Sequence, residues 1–531
     1  MYLPAGNNSI LEDPPIAHEF HHLLRRDTDD HAFLESPPLD ITAAHQDATP
    51  DYDYMFGTLQ GDTTKQIPDT DKMREALIRL GMAMSEPHSG DPPVSTIPAI
   101  YTYFGQFISH DLTFDSTTAT VLNIFDKDFK PLSQGEAPKV MKNLRSGQLD
   151  LDSLYEWPAA QDQGRMLLGK VEPEIEDAPT DQRPPFKDEW NDLLRSGPSS
   201  KREFDRTALI GDPRNDENLV LGQLHVAFLR AHNNLLTTGM QFDDAVISMR
   251  RHYHHLVLYD FLPKLVEQKM IDQEIAAVGG LGQTEGKYSL PLEFSAAAFR
   301  VGHTMVRSEY NYNLNSQPAT LTDLFTFTAL SGVLGPVKGA NQLRDNWIIE
   351  WENFVGPAQS INYARRLDTN LVEPLFRLRD EEGRVGPGPK KSLAVRNLLR
   401  GYQVGLPTGQ AIADLLGVDT LGPQQLRDQA GSKEHRDALI DGGFDLNTPL
   451  WYYILAEAFI MGEGNRLGPV GGTIVSRTLV NLLKRSPDSI LNTEEPWKPA
   501  LGRNGTFTIA DLLRLSGNLP GIVLPADEHP T

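Results

Sequence analysis

Apolar residues recur three and four positions apart in segment after segment of this chain, and the alternation expected of half-buried strands is rare. That spacing predicts a mainly α fold with few short strands. Asp71–Met84 places Met73, Ala76, Leu77 and Leu80 on one helical face and runs out near Gly81. After a Pro-rich break, Pro98 opens a second helix in which Ile100, Phe104, Phe107, Ile108 and Leu112 keep the period. Long amphipathic stretches follow at 217–239, 245–268 and 294–310, and again at 393–401, 438–443, 450–462 and 471–485. Residues 157–213 read as loop, except for RMLLGKV at 165–171, which suits a hairpin strand. No repeat or shift in composition divides the chain. The expectation is one large helical domain over 51–531, preceded by a Pro-, Asp- and His-rich arm, 1–50, that is extended or partly disordered.

Of the 531 residues none is cysteine, which removes disulfides, thiolate metal sites, iron–sulfur clusters and cysteine nucleophiles. A net charge of −23 argues against nucleic acid and anionic membranes, both of which select basic patches. No uncharged apolar run approaches the roughly 18 residues of a membrane span, and MYLPAGNNSILEDPP has neither a basic start nor an apolar signal core. A soluble protein is expected, cytoplasmic or exported by a route without a signal peptide. Its oligomeric state is not encoded in these patterns.

Chemistry therefore falls to His, carboxylates, hydroxyls and amides. Gln106 and His110 are spaced i, i+4 and share a helical face, so they can address one ligand together, while Asp111 points about 100° away. A core histidine satisfied by an internal hydrogen bond explains the same segment equally well. GDPRNDEN, 211–218, sets Arg214 and Glu217 three apart in a polar turn. Arg214 there suits polarisation of a bound oxygen species, and an ordinary helix start capped by Asn215 or Asp216 suits the string as well. His303 lies in a stretch rich in small residues, Ala296, Ala297, Ala298 and Gly302, where a flat group can approach an imidazole, or where helices simply pack closely. In GQLDLDSLY, Asp150 and Asp152 alternate with apolar residues as oxygen ligands for a hard cation do, without the central Gly and terminal Glu of an EF-hand; a solvated acidic loop is the plainer reading. The remaining histidines, His225, His232, His252, His254 and His255, form no familiar metal motif.

Taken in order, GQFISHDLTFD, GDPRNDEN, FRVGHTMV and RNLLRGYQVGLP resemble the animal haem peroxidases of the peroxidase–cyclooxygenase superfamily, in particular bacterial, cysteine-free members, over residues from about 55 to 520. The resemblance implies an enzyme that reduces hydrogen peroxide to water through a ferryl haem intermediate while oxidising small donors such as phenols, halides or thiocyanate. It implies His110, Arg214 and Gln106 as distal catalytic residues and His303 as the proximal iron ligand, hydrogen-bonded to Asn397. Arg300 and Arg400 match arginines that contact haem propionates. Asp111 and the loop residues Ser146, Gln148, Asp150 and Asp152 match calcium ligands, with Tyr155 setting the register. Ser109 stands where fully modified members carry an ester-forming aspartate, so the cofactor is expected to be haem b, or haem with at most one ester link, through Glu217. Arg300 also stands where fatty-acid dioxygenases carry their radical tyrosine, which disfavours oxygenase activity. A catalytically silent binding or adhesion protein is the remaining alternative, and the retained His110, Arg214 and His303 count against it.

Overall fold

The computed structural model describes residues 51–520 apart from 71, 87–93, 116–123, 126–128, 156–160, 163, 173–188, 199–204, 279–287, 317, 329–340, 357–360 and 379–385. The N-terminal arm, 1–50, lies outside the described residues. Helices dominate, and the strands among the described residues form two-stranded sheets only. Buried apolar side chains from Tyr52 to Leu519 join one core.

Helix α1, Met73–Ala83, buries Met73, Leu77, Leu80 and Gly81, the face that the sequence periodicity marks. Strand β1, Val94–Pro98, ends at a proline and feeds directly into α2, Ile100–Leu112. Every residue of α2 is buried except Gly105, Gln106 and Ser109. A helix apolar on nearly all sides belongs in the interior, and its three less buried positions fall on one stripe that faces a cavity. Helix α3, Leu219–Thr237, is capped by the Asn218 side chain, which accepts from the Leu221 N–H at 2.9 Å. Asn218, rather than Asn215 or Asp216, is the cap, which releases the other two for other work. Helix α4, Phe242–His255, continues into a π-helical turn, Leu256–Phe261, a rare conformation in which each residue advances the chain less than in an α-helix. Phe107 stacks on Phe228 of α3 with centroids 4.6 Å apart, and Tyr253 of α4 meets both rings edge-on, so these three helices share one aromatic seam.

The segment around His303 departs from the expected single helix. Leu292–Ala296 is helical, Ala298–Val301 is a 3₁₀ turn, and α5, Gly302–Met305, follows. The break lies at Ala297, whose φ of −138° and ψ of −72° are not helical. The Arg300 Nε donates to the Ser295 carbonyl at 2.8 Å, taking an acceptor that a continuous helix would have used. Strands β2, Glu309–Tyr310, and β3, Ala319–Thr320, pair antiparallel, and β4, Tyr363–Arg365, pairs antiparallel with β1. The RMLLGKV piece does contribute a short hairpin strand, Arg165–Met166, paired with Gln161–Asp162.

Helix α6, Leu393–Gln403, packs along α1. Helices α7, Leu450–Gly462, and α8, Pro469–Arg485, close the core behind it, with the Glu457 carboxylate of α7 accepting from the Val470 N–H at the start of α8. At the α1–α6 contact, a Cβ on Gly81 would sit 2.7 Å from the Val395 Cα, so only glycine permits this approach. Gly81→Ala must push α6 away, and we expect a loss of about 1–3 kcal/mol, read as a lower thermal midpoint.

Candidate active site

A cavity partly open to solvent lies between α2 and the broken segment at 297–305. Gln106 and Ser109 form part of one wall, Phe299, Gly302 and His303 part of another, and Glu217 and Asn218 the rim between them. The Gln106 amide donates to the Glu217 carboxylate and its oxygen accepts from the Asn218 Nδ2 at 3.2 Å, so these three side chains act as one polar patch on an otherwise apolar surface.

His303 lines the cavity with its Nδ1 2.8 Å from the Asn397 side-chain amide. Burial, then the nearby Arg300, lower its pKa to about 3, so the ring is neutral. As placed, the Asn397 Nδ2 faces the ring and the Oδ1 accepts from the Arg300 Nη1 at 3.2 Å. Turned the other way, the amide offers its oxygen to Nδ1–H and leaves Nε2 as the basic nitrogen.

His110 shares a helical face with the wall residue Gln106 and lies one turn further along α2, outside the cavity wall. It is fully buried, its Nδ1 lies 2.8 Å from the Asn215 Oδ1, and its Nε2 has no partner. Burial, then the positive charge of Arg214, lower its pKa to about 3. With Nδ1–H donated to Asn215, the lone pair is on Nε2, the state required of a base. The Asn215 Nδ2 in turn reaches the His225 Nδ1 at 3.0 Å, and His225 is also fully buried and lowered to about 3, chiefly by burial.

Arg214 does not take the place expected of it. Its Nη2 meets the Asp212 Oδ2 at 2.6 Å and also donates to the His110 carbonyl at 3.1 Å and the Thr113 carbonyl at 2.7 Å. The guanidinium lies 4.1 Å over the Phe114 ring and contributes nothing to the cavity wall. A buried guanidinium needs a counter-charge and acceptors, and the end of α2 supplies the carbonyls. Burial by itself would raise the Asp212 carboxyl, but Arg214 and Arg145 outweigh it and hold the group well below the usual carboxylate range.

Arg300 and Arg400 are both buried and close enough for Arg400 to help burial lower the Arg300 pKa to about 9. Arg400 faces Asp115 at 3.4 Å and Gln403 at 3.1 Å. Neither arginine belongs to the cavity wall. On the far side of α2, carboxylate oxygens of Asp111, Asp150 and Asp152 lie within 4.8 Å of one another. The Asp111 Oδ1 accepts from the Asp152 N–H at 3.1 Å, and Leu151 between the two loop aspartates is left-handed, with φ 58°. Ser146 accepts from the Gln148 N–H at 3.1 Å on the same loop. Arg145 links this cluster to the distal side, meeting Asp152 at 3.3 Å and Asp212 at 3.0 Å. The other histidines form no second cluster of three or more metal-ligating side chains among the described residues.

The sequence model of the animal haem peroxidase family matches residues 134–408, more than half of the chain. The chain belongs to this family. A peroxidase-like protein from Margaritifera margaritifera is 24% identical over 368 residues, which span 58% of this chain and only 44% of that protein, under half of its length. Peroxidase A from Dictyostelium discoideum shares the fold, with a TM-score of 0.50 and 16% identity over 85% of this chain and 90% of that one. A fatty acid alpha-dioxygenase from Arabidopsis thaliana aligns with a TM-score of 0.47 and 12% identity over 84% and 73% of the two chains.

The family's prosthetic group fits this cavity. Its walls are mainly apolar, and a Cβ added at Gly302 beside His303 would meet nothing within 4 Å, which leaves room for a flat ring system. His303 is a neutral imidazole in that wall, while Arg300 and Arg400 lie buried outside it, Arg400 facing Asp115 at 3.4 Å. No helix among the described residues is long and apolar enough to cross a membrane.

Asn215, His225, Asp212 and Arg145 escape a motif reading, because their partners are remote in sequence or look like ordinary turn residues. The acidic cluster makes a prediction with a definite sign. Without a cation, burial and the neighbouring Asp152 and Asp150 raise Asp111, and burial raises Asp150. Raised carboxyls bind protons more tightly in the folded chain, so their contribution is fully present below the unfolded value and is lost as pH rises through the folded one. Chelator-treated protein should lose stability on going from acid to neutral pH. Millimolar calcium should restore the thermal midpoint at pH 7.5 and have little effect near pH 4, and in Asp111→Asn it should have little effect at either pH.

Proposed function

We propose that this chain is a haem peroxidase that reduces hydrogen peroxide to water and oxidises small donors such as halides or phenols. The observation that carries the reading is a pair of neutral imidazoles, His303 in the cavity wall and His110 behind the opposite wall, each with Nδ1 held by an asparagine. Haem, held by His303, would supply the iron that takes up peroxide and stores two oxidising equivalents, with the buried Arg300 and Arg400 proposed to attract its anionic substituents. His110, whose Nε2 has no partner while Nδ1 is held by Asn215, would be the group that takes a proton from peroxide and gives it back. Asn215 fixes the tautomer that makes this transfer possible. Arg214 is a positioning residue, holding the end of α2 through the His110 and Thr113 carbonyls. Gln106 and Glu217, hydrogen-bonded to each other at the cavity wall, would hold polar ligands, and Glu217 is the carboxylate proposed for a single ester link. Three carboxylates at the back of α2 provide the site for calcium.

An oxygenase acting through a tyrosyl radical three residues before the proximal histidine has no such residue here, because Arg300 occupies the position and resists one-electron oxidation. Oxygen uptake with linoleate should therefore be absent.

The test is an absorption spectrum of haem-supplemented protein followed by turnover with iodide, bromide and a phenol. His110→Ala should keep the Soret band and lose about two to four orders of magnitude in peroxide turnover. His303→Ala should lose or grossly alter the Soret band. An apoprotein that takes up haem without any peroxide turnover would leave only a binding role. After peroxide treatment, part of the haem should resist acid–organic extraction, and Glu217→Gln should make it fully extractable.

A further inference from the structure

Asn215 holds two histidines at once, and only one of them has a part in the peroxide chemistry. The asparagine sits in the 3₁₀ turn Pro213–Asp216 and is fully buried. Its Oδ1 lies 2.8 Å from the His110 Nδ1 on α2, and its Nδ2 lies 3.0 Å from the His225 Nδ1 on α3. His225 is fully buried as well, its ring meets Phe107 edge-on with centroids 6.1 Å apart, and its Nε2 has no hydrogen-bond partner. It lies outside the cavity wall, away from any ligand held there.

A buried histidine held by one hydrogen bond is ordinary in a core, and His225 by itself needs no further account. The shared amide changes this. A carboxamide offers an acceptor at one end and a donor at the other. Both rings meet it through Nδ1, and both are kept neutral chiefly by burial, with pKa values lowered to about 3. The amide oxygen is matched only by a protonated Nδ1, and the amide nitrogen only by an unprotonated one. Each neutral ring carries a single proton, so the ring protonated on Nδ1 has its lone pair on Nε2, and the other ring has the reverse. The bridge is therefore complete only when the two histidines are opposite tautomers. Two independent hydrogen bonds would impose no such relation.

We propose that His225 is a positioning residue that sets the tautomer of His110 through Asn215. This rests on the peroxidase reading, in which His110 is the base. With its Nδ1 unprotonated, His225 accepts the Asn215 N–H, which turns the Oδ1 toward His110 and leaves the His110 Nε2 lone pair free for a proton. Without that acceptor the amide loses its preferred orientation. A buried N–H without a partner is tolerated less well than a carbonyl oxygen without one, so the amide turns over and donates to the His110 Nδ1. The ring proton then sits on Nε2 and blocks the base.

Two measurements test this. In the first, the full-length protein carrying zinc protoporphyrin, a diamagnetic replacement for haem, is isotope-labelled at its histidine nitrogens, and the NMR shift of each ring nitrogen tells whether it bears a proton. His110 and His225, assigned through His110→Ala and His225→Asn, should carry the proton on Nδ1 and on Nε2 respectively. In the second, haem-loaded variants are compared by peroxide turnover with iodide. Phenylalanine matches the imidazole in shape beside Phe107 but accepts nothing, so His225→Phe should keep the Soret band, turn over peroxide about ten- to a hundredfold more slowly, and show the His110 proton on Nε2. Asparagine places its Oδ1 where His225 has Nδ1, so His225→Asn should retain most of the turnover that His225→Phe loses. A role in packing alone reverses that order, because phenylalanine fills the space and asparagine leaves a void. Two rings in the same tautomer, or His225→Phe as active as His225→Asn, would overturn the coupling and leave the peroxidase reading in place. Opposite tautomers in a protein that takes up haem but turns over no peroxide would uphold the coupling and overturn the peroxidase reading.

Discussion

Asp212 is an ionised carboxylate in a place that water does not reach, and its charge is tolerable only because Arg145 and Arg214 flank it at 3.0 and 2.6 Å. Each arginine then has donors left for other parts of the chain. Arg214 takes the carbonyls at the end of α2, and Arg145 takes the Gly211 carbonyl at 3.0 Å together with Asp152 of the acidic loop. One carboxylate thus joins the helix that carries His110, the turn that carries Asn215, and the loop that faces Asp111. Removing one partner from such a buried pair typically costs about 3–5 kcal/mol, because it strands the other charge. The orientation of His110 is therefore set by electrostatics two residues removed from it, in a chain that has no covalent cross-link to do the same.

The helical periodicity was readable wherever one face of a helix meets the core. Met73–Ala83, Leu219–Thr237 and Pro469–Arg485 fall where the apolar spacing puts them. It misled at 292–305, since a run of alanines has high helix propensity and nothing local shows that Arg300 will take the Ser295 carbonyl. The π-helical turn after α4 was equally hidden, because its residues keep an apolar pattern and only the tertiary fit decides the winding.

The site divides along the same line. His110, His303 and Asn397 stood out through motifs, and the structure places both histidines against asparagines. Arg214 stood out too, but for a side chain with five donors the motif says only that a charge is required, not which way it points. Asn215 has the composition of a helix cap, but Asn218 holds that position and leaves Asn215 to meet His110. Arg145 carries no motif at all; its meaning comes from Asp212, 67 positions later, and from the loop aspartate beside it. Contacts between distant residues leave no periodic trace in a single sequence.

The depressed pKa of His110, near 3, has a consequence for where this protein can work. An ordinary histidine would be charged, and useless as a base, in a mildly acidic medium. Here the imidazole stays neutral long after Asp111 and Asp150, both pushed upward, have begun to take up protons. Protonation of the acidic loop behind α2 therefore precedes charging of the imidazole, so that in acid the loop stands without need of a cation while His110 is still neutral.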